Sequence, residues 1–327
     1  MDTAPDYSGE NVNPQIIENY DGKDVVLGTS GRTLTVKDFP SLKNMTGKTL
    51  ITTDGTTLLG ADDKAGIAEI MTVAEELLKG DIPHGKVCLA FTTDEEVGSG
   101  ACHMDLERFG APYAYTVDGG PEGEIQFENF NAASAEFAIH GVNVHPGEAK
   151  DIMVNSMKIA MELQGMLPEQ EAPEHTEGYE GFFHLMEMNG SVEETTMSYL
   201  IREFDAEKYE ARKALMQEIT AKINAKYGEG TVELKLEDSY RNMREMIEPC
   251  MQLIDFAVQA CKDADVEPDI APIRGGTDGC QLSFKGLPCP NLGTGGHAYH
   301  GPYEHITVEG MDKSVDVVTE LVKLYAM

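Results

Sequence analysis

Apolar residues between positions 60 and 120 follow first a helical and then a strand-like spacing. Over residues 67–78 they recur every three or four positions, and Gly80 follows where a glycine that ends a helix is expected. Residues 87–91 and most of residues 113–117 form uninterrupted apolar runs, which are typical of interior strands covered on both faces. Alternation of strands and helices predicts an α/β fold with a mostly parallel sheet.

The pattern changes near residue 131. Phe137 and Ile139 alternate with polar neighbours, and residues 198–201 and 232–236 are again strand-like. A long polar helix is predicted over residues 207–227, because its apolar residues fall on a single stripe. These features predict an antiparallel sheet with helices, that is, an α+β domain.

After residue 244 the first pattern returns, with helices predicted over residues 246–262 and 311–325. We therefore predict that the smaller domain is inserted into the larger one. The predicted catalytic domain comprises residues 1–130 and 244–327, and the predicted lid domain comprises residues 131–243.

Composition narrows the choice of partners. The 327 residues include 57 acidic and 25 basic side chains, a formal net charge of −32. Such a charge repels phosphate backbones and anionic membrane surfaces, so neither nucleic acid nor a membrane is expected as a partner. The beginning of the sequence has no pattern of a signal peptide, and six cysteines without CxxC spacing fit reduced thiols in the cytoplasm.

Candidate metal ligands lie in four segments rich in glycine and other helix or strand breakers. These are GADDKAG (60–66), TTDEEVGSG (92–100), TVDGG (116–120) and GGHAYHG (295–301). Asp62, Asp118 and His300 are candidate ligands, and of the adjacent Glu95 and Glu96 one can bind metal while its neighbour acts as general base. In open α/β sheets ligands bind beyond the carboxyl ends of strands, where several of these segments are predicted to lie. The pattern indicates one site for two divalent metals that activates water.

Each segment has a simpler explanation when taken alone. Glu95 and Glu96 are compatible with a solvated acidic turn, and Asp62 and Asp63 with the acidic first turn of a helix. His297 competes with His300, three residues away. Only the combination of the four segments favours a metal site.

Two further residues are candidates for contacts with a substrate. His145 lies in an Asn-Val-His-Pro-Gly turn. Its imidazole is either a contact to a substrate oxyanion or an ordinary exposed side chain. Arg274 lies in a glycine-rich loop, where its guanidinium suits a substrate carboxylate or an ordinary ion pair. No phosphate-binding glycine pattern and no G-x-S-x-G motif are present, which disfavours nucleotide binding and a serine hydrolase.

Longer motifs carry a resemblance to a known family. The sequence resembles the peptidase T family of tripeptide aminopeptidases, within the co-catalytic zinc peptidases, nearly from end to end. The motifs are MDTAPD, LLGADDKAGIAEIM, FTTDEEVGSGA, YTVDGG, ENFNAAS, NVHPG, TEGYEGF, EDSYRNMRE, PIRGGTDG and GLPCPNLGTGG. The resemblance implies a catalytic α/β domain with an inserted lid, two zinc ions per site, and release of the N-terminal residue from tripeptides.

The resemblance also implies individual roles. Asp62 resembles the carboxylate that bridges the two metals, Glu95 the general base, Glu96 and Asp118 terminal ligands, and His300 the last imidazole ligand. Arg274 and His145 resemble contacts to the substrate or the transition state.

One departure from the family concerns Asp2. In the family a zinc-binding histidine precedes the Met-Asp-Thr segment, and the aspartate orients it. This sequence starts at Met1, so we expect Asp2 to lack that imidazole, one zinc ion to be lost, and activity to be reduced or absent. The alternatives are a noncatalytic remnant or a peptide-binding pseudoenzyme, and, ranked third, a magnesium-dependent phosphoryl hydrolase. A small peptide is the expected partner, and a homodimer remains open.

Overall fold

The computed structural model of the protein describes residues 2–326. Its strands are β1 (Gln15–Ile17), β2 (Val25–Leu27), β3 (Arg32–Leu34), β4 (Leu50–Thr52), β5 (Thr116–Gly119), β6 (Glu124–Gln126), β7 (Asn131–His140), β8 (Phe182–Gly190), β9 (Glu194–Glu203), β10 (Val232–Tyr240), β11 (Asp269–Ile270), β12 (Asn291–Gly293), β13 (Gly296–His297) and β14 (His305–Thr307). Its α-helices are α1 (Ala61–Leu78), α2 (Leu106–Phe109), α3 (Ser156–Gln164), α4 (Ala206–Tyr227), α5 (Arg244–Ile247), α6 (Gln252–Asp263), α7 (Asp278–Phe284) and α8 (Val308–Leu324).

The chain forms two compact units. The first comprises Met1–Phe127, Met243–Ala271 and Thr277–Met327, and the second comprises Glu128–Asn242 and Pro272–Gly276. Within the described residues, no helix combines the length and the apolar character needed to cross a bilayer.

The first unit contains helices and three small sheets. One sheet has the strand order β1-β4-β14-β13 and is antiparallel throughout, and β2 pairs with β3 as a separate antiparallel ribbon. The third has the order β11-β6-β12-β5, with β12 parallel to β5 and antiparallel to β6. The predicted α/β class is confirmed, but the strand pairing is more mixed than the sequence pattern predicts.

The strand predicted over residues 87–91 is wrong for the described structure. No strand forms there, and Val87, Leu89 and Phe91 are all more than 40% exposed. A strand requires a neighbour that pairs with its backbone, and none of the described residues pairs with this run. The second apolar run forms a strand only from Thr116 onwards, as β5.

Helix α1 confirms the helix predicted over residues 67–78. Its buried face includes Ala65, Val73 and Leu77, and it packs on α8 and β5. Gly66 permits the close approach to β5, because a Cβ there would collide with the carbonyl oxygen of Val117. Since α1 begins at the Asp62 loop and β5 carries Asp118, this packing brings two candidate ligands together.

The second unit is built on an antiparallel sheet with the order β10-β7-β9-β8. Helix α4 packs on this sheet through Met216, Ile219 and Ile223, which are buried. Helix α3 contributes Ile159 and Leu163 to the same core. The predicted antiparallel sheet and long one-sided helix are therefore confirmed.

Candidate metal centre

Three predicted ligands converge in the first unit. One ligand atom from each of Asp62, Glu96 and His300 lies within 4.8 Å of the other two. Nε2 of His300 is 3.1 Å from Oδ2 of Asp62 and 3.4 Å from Oε2 of Glu96. Two carboxylates and an imidazole at this spacing form a donor set that suits zinc or a similar divalent ion. His297, the competing histidine, does not belong to this group.

The loop that presents Asp62 is held by Glu304, whose side chain is buried. Its carboxylate accepts hydrogen bonds from the backbone N–H groups of Leu59, Gly60 and Asp62 at 2.6, 2.7 and 3.0 Å. Gly60 has a φ of 74°, a conformation that favours glycine. Sequence analysis missed Glu304, because nothing in a His-Gly-Pro-Tyr-Glu-His stretch distinguishes a buried anchor from one more surface acid.

Asp118 is a neighbour of Asp62. The two carboxyl groups are within hydrogen-bonding contact, and Oδ1 of Asp118 is buried with no partner among the described atoms. Burial raises the pKa of Asp118 well above its ordinary value, and the neighbouring Asp63 and Asp62 raise it further. A buried, unpartnered carboxylate oxygen is costly without a cation, so this residue fits a metal ligand. Its backbone N–H is held by the side chain of Asn291 at 3.2 Å.

Asp63 does not belong to the three-ligand group. Its Oδ1 accepts the N–H of Gly66 at 3.1 Å and so caps the start of α1. Burial, and then the charge of Asp62, raise the pKa of Asp63 to about 9. The helix-capping explanation given for this acidic pair therefore holds for Asp63, whereas Asp62 joins the candidate centre.

Glu95 and Glu96 occupy a loop that other carboxylates hold in place. Asp2 accepts the backbone N–H groups of Glu95 at 3.1 Å and Glu96 at 3.3 Å. Asp278, which is buried, accepts the hydroxyl of Thr92 at 2.7 Å and the N–H of Ala101 at 3.0 Å. Asp2 therefore positions the acidic loop, a contact that sequence analysis did not predict, and Asp278 was missed altogether.

Burial is the main reason why both glutamates have a raised pKa. The pKa of Glu95 rises to about 7, with further contributions from Asp278 and Glu96. The pKa of Glu96 also rises to about 7, with the charge of Asp62 as the next cause. His300 shifts upwards as well, to a pKa of about 9, chiefly because it hydrogen-bonds to Asp62. Crowded carboxylates of this kind favour a bound proton or a bound cation.

The two predicted substrate contacts belong to the second unit. Arg274 donates hydrogen bonds to the carbonyl oxygens of Gly178 at 2.7 Å and Glu180 at 3.1 Å, and its guanidinium lies over the Phe130 ring. His145 is exposed, and its Nδ1 accepts the N–H of Gly147 at 3.2 Å. The guanidinium of Arg274 is thus engaged with backbone of the TEGYEGF segment rather than with an acidic side chain.

Comparison with known proteins gives independent information. Residues 127–231 match the model of a peptidase dimerisation domain, and residues 46–171 match that of an M42 glutamyl aminopeptidase. Among solved structures, aminopeptidase PepT from Bacillus cereus superposes with a TM-score of 0.75 at 28% identity, over 85% of this chain and 74% of that one. A Bacillus subtilis protein described as a dinuclear metal-binding peptidase of the M20 family has a TM-score of 0.63 at 17% identity, which shows a common fold, over 83% of this chain and 74% of its own.

Full-length relatives identify the family. Peptidase T of Clostridium novyi is 58% identical over 100% of this chain and 81% of its own length. Peptidase T of Aliivibrio fischeri is 57% identical over 100% of this chain and 80% of its own length. On these alignments the chain is a peptidase that belongs to the peptidase T family.

Proposed function

We propose that this chain is a metal-dependent aminopeptidase that releases the N-terminal residue of tripeptides. The observation that supports the proposal best is the convergence of Asp62, Glu96 and His300 beside the buried, unpartnered oxygen of Asp118. Asp62, Glu96 and His300 would hold one ion, and Asp62 with Asp118 a second. Zinc is the proposed metal, because imidazole and carboxylate ligands are typical of its catalytic sites.

When bound, the metal pair would polarise the scissile carbonyl and lower the pKa of water. Glu95 does not belong to the three-ligand group and is partly buried at its edge. With a pKa near 7, it is suited to take a proton from the attacking water and to deliver it to the departing amine. Asp2 supports this step indirectly, since it fixes the backbone of Glu95.

We also propose that His145 and Arg274 act on the substrate side, His145 towards the developing oxyanion. For Arg274 the proposal is that it acts by ordering the loop over residues 176–180 through its hydrogen bonds. The match to a dimerisation domain supports assembly into oligomers, and a homodimer is the proposed form. Among the described residues the six cysteines form no disulfide, which supports the proposed cytoplasmic location.

The second candidate is a peptide-binding protein without turnover. One observation favours it: within the described residues the group that shares a 4.8 Å neighbourhood has three members, enough for one ion, and Asp118 is not among them. An aminopeptidase with paired metals needs both ions, whereas a binding protein does not.

The test begins with chelator-treated protein to which zinc is returned. Metal content is measured per chain, and hydrolysis is followed with a tripeptide, its N-acetylated form and the corresponding dipeptide. Two zinc ions and cleavage of the free tripeptide alone would establish the aminopeptidase. One ion or none, with peptide binding but no cleavage, would instead establish the second candidate.

Variants assign the proposed base. Glu95→Gln should lower kcat by about 10² to 10⁴-fold while metal content stays the same. Glu75→Gln, on the exposed side of α1, is the matched control and should leave kcat unchanged. If Glu95→Gln loses metal rather than turnover, the proposed division between ligand and base is wrong.

A further inference from the structure

Tyr299 lies in the GGHAYHG segment, and the proposed chemistry gives it no role. Its hydroxyl donates a hydrogen bond to the backbone carbonyl oxygen of Gly119 at 2.8 Å. Gly119 directly follows Asp118, and Tyr299 directly precedes His300. One side-chain hydrogen bond therefore joins the segments that carry two of the proposed ligands, although its two residues are 180 positions apart in the sequence.

A second hydroxyl supports the same contact. Oγ1 of Thr294, a buried residue, lies 3.0 Å from the carbonyl oxygen of Gly119 and 3.0 Å from the hydroxyl oxygen of Tyr299. The backbone N–H groups of Thr294 and Gly295 donate to the carbonyl oxygen of Gly120 at 3.0 and 2.9 Å. The chain that leaves β5 is thus tied at two consecutive carbonyl groups to the segment that contains Tyr299.

The backbone on either side of Tyr299 has an unfavourable conformation. Ala298 and His300 have φ values of 54° and 64°, in the left-handed region that residues other than glycine rarely adopt. Within residues 2–326, neither Tyr299 nor His300 makes a backbone–backbone hydrogen bond. Such a conformation persists only where surrounding contacts hold it, and the hydroxyl of Tyr299 supplies one directly beside His300.

Gly296 provides the space for this contact. A Cβ atom at position 296 would collide with the hydroxyl oxygen and the ring of Tyr299, so a side chain there would displace the phenol. Glycine lets the ring approach the backbone of β13 closely. The glycine at this position is therefore explained by the packing of Tyr299.

The hydrogen bond also distinguishes between two roles for the hydroxyl. A phenol has a single proton to donate, and here it goes to the carbonyl oxygen of Gly119. The hydroxyl is therefore not available as a donor to a substrate oxyanion. It acts on the candidate centre through the chain segments that it holds.

We propose that Tyr299 is a positioning residue that joins the two candidate ion sites. Its hydroxyl fixes the segment that carries Asp118, and its own backbone leads into His300. The inference rests on the proposed function, in which Asp118 belongs to one ion site and His300 to the other. Loss of the hydroxyl should therefore weaken the binding of both ions, whereas a residue that orients a single ligand would affect only one.

Tyr299→Phe tests this inference because it removes the hydroxyl and keeps the ring. In calorimetric titration of the chelator-treated chain with zinc, both ions should bind about 10 to 100-fold more weakly than in the parent chain, the range typical for loss of a group that orients a ligand. Affinities equal to those of the parent, or a weaker affinity for one ion only, would overturn the inference.

Amide exchange of the metal-free chain gives a readout that does not depend on zinc. The N–H groups of Thr294 and Gly295 are hydrogen-bonded, and in Tyr299→Phe they should exchange about tenfold faster by hydrogen exchange with mass spectrometry. A parent chain that binds fewer than two zinc ions would overturn the proposed function. Amide exchange would then decide the inference by itself, and equal exchange in Tyr299→Phe and the parent would overturn it.

Tyr115→Phe is the matched control. The hydroxyl of Tyr115 donates to the carbonyl oxygen of Leu253 at 2.8 Å and lies 2.9 Å from the hydroxyl of Tyr325, so the variant loses the same kinds of contact within the first unit. Leu253 belongs to α6, which carries no candidate ligand. Zinc affinity and the exchange of Thr294 and Gly295 should therefore match the parent chain.

Thr294→Val is the second variant. It removes the other hydroxyl at the carbonyl of Gly119 and should weaken both ions by up to about tenfold. Circular dichroism verifies that each variant is folded. If Tyr299→Phe does not fold, Thr294→Val decides the inference, and unchanged zinc affinity in that variant would overturn it.

Discussion

Glu69 leads to a quantitative prediction about stability and pH. It lies on the buried side of α1, its side chain is inaccessible to solvent, and neither carboxylate oxygen has a partner among the described atoms. Burial raises the pKa of Glu69 to about 9 from an ordinary value of 4.5, and the charge of Asp63 adds to the effect. The folded protein therefore holds a proton on Glu69 at neutral pH, whereas the unfolded chain releases it.

Because the pKa of Glu69 is raised in the folded state, its contribution to stability decreases as the pH rises. The folded state binds the proton more tightly, so the stabilisation is complete below pH 4.5, declines as the pH rises, and is lost above about pH 9. One pKa unit corresponds to about 1.4 kcal/mol, so Glu69 should lower the free energy of unfolding by about 4 kcal/mol between pH 5 and pH 8. Glu69→Gln keeps the shape and hydrogen-bonding capacity of the protonated acid but cannot ionise, so it should remove this loss.

Denaturant unfolding at pH 5 and pH 8, in the presence of a chelator, measures the effect. The chain has no tryptophan, so helix content by circular dichroism is the suitable signal. Relative to the parent chain, Glu69→Gln should gain about 4 kcal/mol on going from pH 5 to pH 8, and Glu75→Gln on the exposed side of the same helix should gain nothing. Equal pH dependence in the parent chain and Glu69→Gln would refute the reasoning, because the buried carboxyl would then be ionised without cost.

Three further changes have expected outcomes. Glu304→Ala leaves three backbone N–H groups of the Asp62 loop without their acceptor and should weaken zinc binding by about 10 to 100-fold in calorimetric titration. Unchanged affinity would show that the loop keeps its conformation without Glu304. Asp2→Asn weakens the hydrogen bonds from the backbone N–H groups of Glu95 and Glu96 to residue 2. It should lower kcat more than it alters zinc affinity, which steady-state kinetics and calorimetric titration measure separately. Arg274→Lys loses the planar fork and should destabilise the second unit by about 1 to 3 kcal/mol in denaturant unfolding, and a stable variant would contradict the structural role.

Elements that depend only on their own apolar spacing could be predicted from the sequence. Elements that need a paired neighbouring segment could not. Helices α1, α4 and α8 were predicted from apolar spacing, because one buried stripe is enough to define a helix. The run over residues 87–91 has an equally clear strand pattern, yet it forms no strand among the described residues, since pairing depends on another segment. Apolar spacing predicts the conformation that a segment favours, but it does not predict whether a strand lies beside it to pair with its backbone.

The same distinction applies to the candidate centre. Asp62, Glu96 and His300 were predicted because ligand residues stand out in breaker-rich loops, and the structure places their ligand atoms together. Glu304 and Asp278 were not predicted. They accept hydrogen bonds from backbone N–H groups of loops that are far away in the sequence, and such long-range contacts leave no local sequence pattern. In a chain with 57 acidic residues, composition cannot separate these anchors from surface carboxylates.

The carboxylates at the candidate centre link metal binding to the stability of the fold. Asp62, Asp63, Glu95, Glu96 and Asp118 crowd around one another, and the pKa of Asp63, Glu95, Glu96 and Asp118 is raised by burial together with neighbouring charges. A cation relieves that repulsion only in the folded state, where the loops converge, so its binding free energy adds to the free energy of unfolding. Zinc at 100 times its dissociation constant should add about 2.7 kcal/mol per site. The gain should shrink as the pH falls and protons compete for the same oxygens, which metal-dependent melting at several pH values would measure.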